Sequence, residues 1–177
     1  MSNRPDYSLP IPSRASKSAI WQFAEEQRQR VGLKNGFQLA DVVRKNRGTI
    51  EYIDFLDDDQ TDAIIVEPDG SFKIRLSSYT GALRDNFTIA HELGHRLLHW
   101  PKVKKANPGK GMRATRWVDK DNKDLVRCEW EANWFAAALL MPKKEFSEFY
   151  KSDRSTVGQF FGVTEAAAKI RAESLGL

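Results

Sequence analysis

The stretch FTIAHELGHRLLHW, residues 87–100, holds all three histidines of a 177-residue chain. Ile89, Leu93 and Leu97 recur every four positions, so the stretch reads as a helix with one apolar stripe. A possible N-cap at Asn86 and a stop at Pro101 bound it. On that helix His91 and His95 stand about 40° apart around the axis and one turn apart along it, which lets two imidazoles meet one tetrahedral ion. Glu92, one position round, reaches a water held by such an ion. The arrangement is H-E-x-x-H, in which two histidines hold zinc and the glutamate takes the proton of the attacking water. His99 continues the series, but it sits about 12 Å along the axis from His91, too far for both to reach one ion. A supporting or substrate-binding role is expected for it. Tyr52, Tyr79 and Arg84 are further candidates for contact with substrate or a developing oxyanion.

The five-residue pattern recurs by chance, so a third ligand has to be found downstream. Glu129 and Glu131 in CEWEANWF qualify, and on a helix they point about 200° apart. Glu131 shares its face with Trp134, Phe135 and Ala138, Glu129 with Ala132 and Asn133. A carboxylate on the more apolar face needs a compensating charge, from an ion or from one of the many arginines and lysines. The expectation is therefore that Glu131 ligates and that Glu129 is a solvated surface acid. Cys128 reads as a small core residue rather than a thiolate ligand. The expected cofactor is one zinc per chain, although two histidines and a carboxylate also suit manganese or iron.

Working outward, SKSAIWQFAEEQRQRVGL (16–33) gives a helix stopped at Gly32. FQLADVVRKNRG (37–48) gives a second, shorter helix closed by Gly48, and TIEYIDFL (49–56) a strand. AIIVEPDGSFKIRLS (63–77) is a hairpin about Pro68-Asp69-Gly70. A long polar loop is expected from Pro101 to Lys123. After it, DLVRCEWEANWFAAALLMP (124–142) is a helix up to Pro142 and KKEFSEFYKS (143–152) follows it. The tail forms two short helices joined at Gly162-Val163, with Thr164 as the second N-cap.

A hydrophobic fraction of 41% and 29% charged residues describe a folded, water-soluble chain. Its length fits one core, read as a single domain over 17–177 with the helix pair of 151–177 packed on it, after a flexible segment 1–16. A single cysteine excludes an internal disulfide framework, and the first residues lack the apolar run of a signal peptide. No window is long and apolar enough to span a bilayer, so a cytoplasmic location is expected. Net charge is +4, but Pro101 to Arg127 carries nine basic residues against three acids, leaving the remainder net negative. Such a stretch can attract nucleic acid, although a solvated surface explains it more simply.

FTIAHELGHRLLH, EWEANWFAAALLMP and FGVTEAAAKIRAESLGL, in that order, resemble the ImmA/IrrE family of zinc metallopeptidases. The resemblance spans about half the chain, from Asn86 to the end with the basic stretch as a gap. It implies an α+β, minimal zincin-like fold: a small mixed sheet with a β-hairpin packed on the H-E-x-x-H helix, plus a helical C-terminal tail. It further implies His91, His95 and Glu131 as ligands, Glu92 as the base, and an edge strand that binds an extended peptide, with FKIRLSS as the candidate edge. The implied substrate is a helix-turn-helix repressor of a prophage, mobile element or stress response. The competing reading is a non-catalytic, DNA-associated regulator or toxin-antitoxin component with a structural metal, resting on the helix-Gly-helix spacing of VGQFFGVTEAAAKIRAESL. That stretch offers few base-reading side chains, and packing of a helix pair accounts for it.

Overall fold

The computed structural model describes residues 6–36, 39–54 and 61–177. Its elements are β1 (Tyr7–Ser8), α1 (Lys17–Arg30), α2 (Ala40–Lys45), β2 (Gly48–Ile53), β3 (Asp62–Val66), β4 (Phe72–Ser77) and α3 (Ala82–Gly94). A π-helical turn (His95–His99) leads into α4 (Trp100–Ala106), followed by β5 (Gly111–Thr115), α5 (Lys123–Leu140), α6 (Lys143–Ser152), α7 (Val157–Phe161) and α8 (Glu165–Leu175).

The strands form one mixed five-stranded sheet in the order β1-β5-β3-β4-β2. The expected hairpin is there: β3 and β4 pair antiparallel, Val66 opposite Phe72 and Ile64 opposite Ile74. Gly70 closes its turn at φ +86, a conformation that costs glycine little. Phe72, Ile74 and Leu76 alternate inward along β4 and are buried, so this strand lays one face on the core. β2 then pairs parallel to β4 from Gly48 to Ile53. This corrects two expectations. Gly48 opens a strand instead of closing a helix, and β4, paired on both sides, is not an edge. The edges are β1 and β2. The described part of the second expected helix is α2, and positions 37–38 and 55–56 of those readings lie outside the described residues.

The stretch expected to be a polar loop contains more structure than its composition implies. The histidine helix begins earlier than expected, at Ala82, and does not stop at Pro101. Proline is tolerated in the first turn of a helix, where its missing N–H has no intrahelical partner. Here the π turn ends just before it and α4 starts afresh around it. Asn86 does not cap α3. Its amide is buried, accepting from the Leu39 N–H at 3.1 Å and donating to the Gly162 carbonyl at 2.9 Å, which ties α2, α3 and the end of α7 together. Met112 and Ala114 of β5 are buried beside exposed Arg113, so half of an apparently polar segment faces the core.

Nor is the whole of 1–16 a loose arm. Tyr7 and Ser8 pair parallel with Gly111 and Met112, and Ser13 to Ala15 bond to α5; residues 1–5 lie outside the described residues. The tail folds as expected, with the Thr164 side chain accepting from the Ala167 N–H and Gly162 in the left-handed region at φ +69.

α5 is the central helix, packed against α1 and α3, with Ala132, Phe135, Ala136 and Leu139 buried. The α3–α5 crossing depends on Gly94. A Cβ there would sit 3.1 Å from the Ala132 Cα and 3.3 Å from the Ala132 carbonyl oxygen, helix backbone that has no freedom to yield. Gly94→Val should therefore destabilise the protein by about 1–3 kcal/mol through overpacking, read as a lowered urea midpoint at unchanged slope.

Candidate metal centre

α3 and α5 together build the site. The His91 and His95 Nε2 atoms lie 3.1 Å apart. From α5 the Glu129 carboxylate enters between them, one oxygen 3.3 Å from His91 Nε2 and the other 3.1 Å from His95 Nε2. The three residues can offer ligand atoms within 4.8 Å of one another, a grouping able to hold a metal ion. They lie in a cleft of about 180 Å³ that is also lined by Glu92, Thr88, Ala63, Thr115 and Arg116.

Glu131, expected as the third ligand, is elsewhere. Its carboxylate is fully buried on the far side of α5, where it accepts from Arg127 Nε at 2.8 Å and from the Ser13 and Arg14 backbone N–H groups at 2.8 and 2.9 Å. It also lies 3.1 Å from His99 Nε2. The charge that compensates it is thus supplied by the protein itself. Glu129 is correspondingly not a solvated surface acid: its side chain is 28% exposed because it opens onto the cleft. Tyr79 and Arg84 are exposed and line no part of that cleft; the Tyr79 hydroxyl donates to Asp54. Tyr52, also exposed, lies on β2 at the opposite sheet edge. His99 lies behind His95, with the two Nδ1 atoms 3.0 Å apart.

These contacts fix the tautomers. Glu131, a carboxylate, can only accept, so His99 donates from Nε2 and its Nδ1 carries a lone pair. His95 then donates from Nδ1, leaving a lone pair on its Nε2, directed at the cluster. On the other imidazole, His91 Nδ1 lies 3.0 Å from the Asn133 side-chain oxygen, which accepts its proton and again leaves Nε2 free. Hydrogen bonds of this kind behind ligating histidines orient the rings and raise their basicity. Two imidazole lone pairs and a carboxylate converge, and such a set repels itself unless a cation or a proton sits among them.

The electrostatics agree. Burial holds His95 down to about 4, keeping it neutral. Burial also lowers His99. His91 moves the other way: burial opposes its charge, but the carboxylates of Glu129 and Glu92 outweigh it. Burial raises Glu129, but positive charge on the histidine pair, where a proton or a cation would sit, outweighs it and holds the carboxyl below the usual range. Glu92 is pushed up to about 7 by burial, and its Oε2 has no hydrogen-bond partner among the described residues. Arg116 bonds the Arg75 carbonyl at 2.6 Å, and its positive charge opposes that rise.

Residues 42–173 match the model of the IrrE N-terminal-like domain, peptidase family M78. The chain belongs to this family. No curated protein and no solved structure shows significant similarity to it. The match covers the H-E-x-x-H helix, the helix bearing Glu129 and most of the tail, and the α+β architecture is that of a small zincin-like domain. Membership in M78 makes the chain a metallopeptidase by family, and the His91, His95 and Glu129 grouping suits the metal that the family uses. Among the described residues no helix is long and apolar enough to cross a membrane.

Two residues of the M78 domain went unread in the sequence. Asn133 was noted only as a neighbour of Glu129; its spacing of four from that residue, on the same face, was the available signal. Arg116 gave none, since it lay in what read as loop.

Glu131→Gln in metal-free protein should cost about 3–5 kcal/mol at pH 7, because it strips a buried partner from Arg127 and His99. Folding holds this carboxyl down to about 2 from 4.5, so its contribution is complete above pH 4.5 and disappears as pH falls toward 2. The gap between wild type and variant in urea unfolding should close over that window. Cys128, buried and pushed up to about 12, first by burial and then by the surrounding carboxylates, should resist alkylation at pH 8 in the native state and react once unfolded.

Proposed function

We propose that this protein is a zinc-dependent endopeptidase that cleaves or inactivates a helix-turn-helix transcriptional repressor, with His91, His95 and Glu129 as zinc ligands and Glu92 as general base. The observation that carries the reading is the convergence of two lone-pair imidazole nitrogens and one carboxylate within 4.8 Å, beside a buried glutamate with an unpartnered oxygen. Zinc at that point supplies Lewis acidity, bringing the pKa of water toward neutrality and polarising a peptide carbonyl.

The chain's own residues account for the remaining steps. Glu92, buried beside the histidine pair with one oxygen unpartnered among the described residues, is placed to accept a proton and to return it to the leaving amine. Arg116, whose charge acts on Glu92 across the cleft, is the cation suited to a developing oxyanion. Support for a peptide substrate comes from β5. Thr115 and Arg116 line the cleft, and β1 pairs with β5 only at Gly111 and Met112, so among the described residues the outer edge beyond Met112 has no ladder partner. An extended peptide can add there as a strand and present its carbonyl to the site. The repressor as substrate rests on the family resemblance of the three sequence blocks.

Two measurements test this, each repeated in single variants: metal content by elemental analysis, and cleavage of a purified helix-turn-helix repressor. Wild type should carry about one zinc per chain. Glu92→Gln should keep the metal and lose cleavage by about 10²- to 10⁴-fold. Glu129→Gln should lose metal while remaining folded. A Glu92→Gln protein that cleaves at the wild-type rate, or wild type that takes up no metal, would sink the proposal.

A further inference from the structure

A second cavity, of about 560 Å³, opens between α1, α5 and α8 and has Asn133, the residue that orients His91, in its wall. Its walls are largely aromatic and apolar, formed by Trp21, Phe87, Trp130, Trp134 and Ile170. Size and lining match those of small-molecule sites.

The polar groups in the wall are the unusual feature. Arg171 is 1% exposed, and its Nε donates to the Met141 carbonyl at 3.1 Å. Among the described residues both of its Nη atoms are buried without a hydrogen-bond partner, and its guanidinium lies 4.4 Å over the Trp21 ring. The Nε1 of Trp21, a residue of the same wall, is also buried without a partner among the described residues. Lys17 adds a second cation, its Nζ 4.8 Å from the Trp21 ring. Among the described residues no carboxylate lines the cavity. Glu25, whose field reaches Arg171, accepts instead from the Lys143 backbone N–H at 2.8 Å.

Buried polar groups are nearly always satisfied, and an unpaired buried cation is costly. Here every unsatisfied atom is a donor, and the local charge is positive. A negative group that only accepts is the chemistry complementary to these donors; the planar fork of a guanidinium suits a carboxylate in particular.

We propose that this cavity binds a small organic anion, a carboxylate on an aromatic or alkyl body, with the carboxylate on Arg171 and Trp21 and the body among the tryptophans. The site needs neither the metal nor Glu92, so it stands or falls separately from the peptidase reading.

The probe is 2-naphthoate, titrated by calorimetry against the full-length protein with and without zinc, beside its neutral counterpart 2-naphthamide. Saturable binding of one naphthoate per chain is expected, at least tenfold tighter than the amide, with or without zinc. Arg171→Met should weaken naphthoate at least tenfold and narrow its advantage over the amide. Should Arg171→Met fail to fold, Ala167→Leu decides: it fills the cavity from α8, leaves the guanidinium in place, and should abolish binding at unchanged metal content and Tm. Equal affinity for acid and amide, wild-type binding by Ala167→Leu, or no saturable binding would overturn the proposal. So would sedimentation showing a dimer that Trp130→Ala dissociates, since the tryptophans would then be covered by a second copy.

Discussion

A buried carboxylate with four partners organises this domain. Glu131, fully enclosed, is held by Arg127 on its own helix, by His99 on the π turn, and by two consecutive backbone N–H groups at Ser13 and Arg14. Burying such a charge is unfavourable unless its hydrogen-bonding capacity is filled, and here it is filled from three separate parts of the chain. Arg14 adopts φ +58 to aim its N–H, a conformation uncommon outside glycine, and the Arg127 guanidinium also bonds the Ala15 carbonyl. The N-terminal segment is thereby fastened to α5, and the π turn to both. From this anion a line of hydrogen bonds runs through His99 to His95, so its position governs which nitrogen of His95 faces the cleft.

The second constraint is the contact of α3 with α5 at Gly94 and Ala132. Only the absence of a side chain at Gly94 lets the two helix backbones come this close. With that distance set, the short Glu129 side chain reaches the histidine pair and Asn133, one turn further, reaches His91 from behind. Ligation geometry and helix packing are therefore one problem for this sequence, with rigid elements supplying the precision.

Much of this could be read without coordinates. The histidine helix, the β3–β4 hairpin, α5 and the capped α8 all carry local signals in periodicity, turn residues and caps; the last three formed where expected, and the first formed with both ends displaced. Which carboxylate joins the histidine pair did not follow, for a specific reason. Facing on a single helix correctly put Glu131 on the apolar side, but burial of a carboxylate says only that something compensates it. An arginine four residues away and a histidine on another element did so. Glu129 shares a polar face with Asn133, which reads as solvated surface, yet a cleft is polar by construction. β5 escaped notice because its two inward residues, Met112 and Ala114, are separated by arginine within a charged region. Its partners β1 and β3 lie far away in sequence, and no local pattern reports them. Pro101 misled for the opposite reason, being a local signal that the π turn overrides by restarting the helix.

The fastening at Glu131 also bears on how the protein is made. The bonded groups of Ser13 and Glu131 are separated by 118 residues, so the N-terminal segment leaves the ribosome well before its anchor exists. Until α5 has been synthesised, a growing chain has its histidine pair but neither Glu129 beside it nor Glu131 behind it. Closing so long a loop is slow relative to forming helices or hairpins. A chain interrupted before α5 therefore carries the H-E-x-x-H motif with no carboxylate from that helix to complete the grouping.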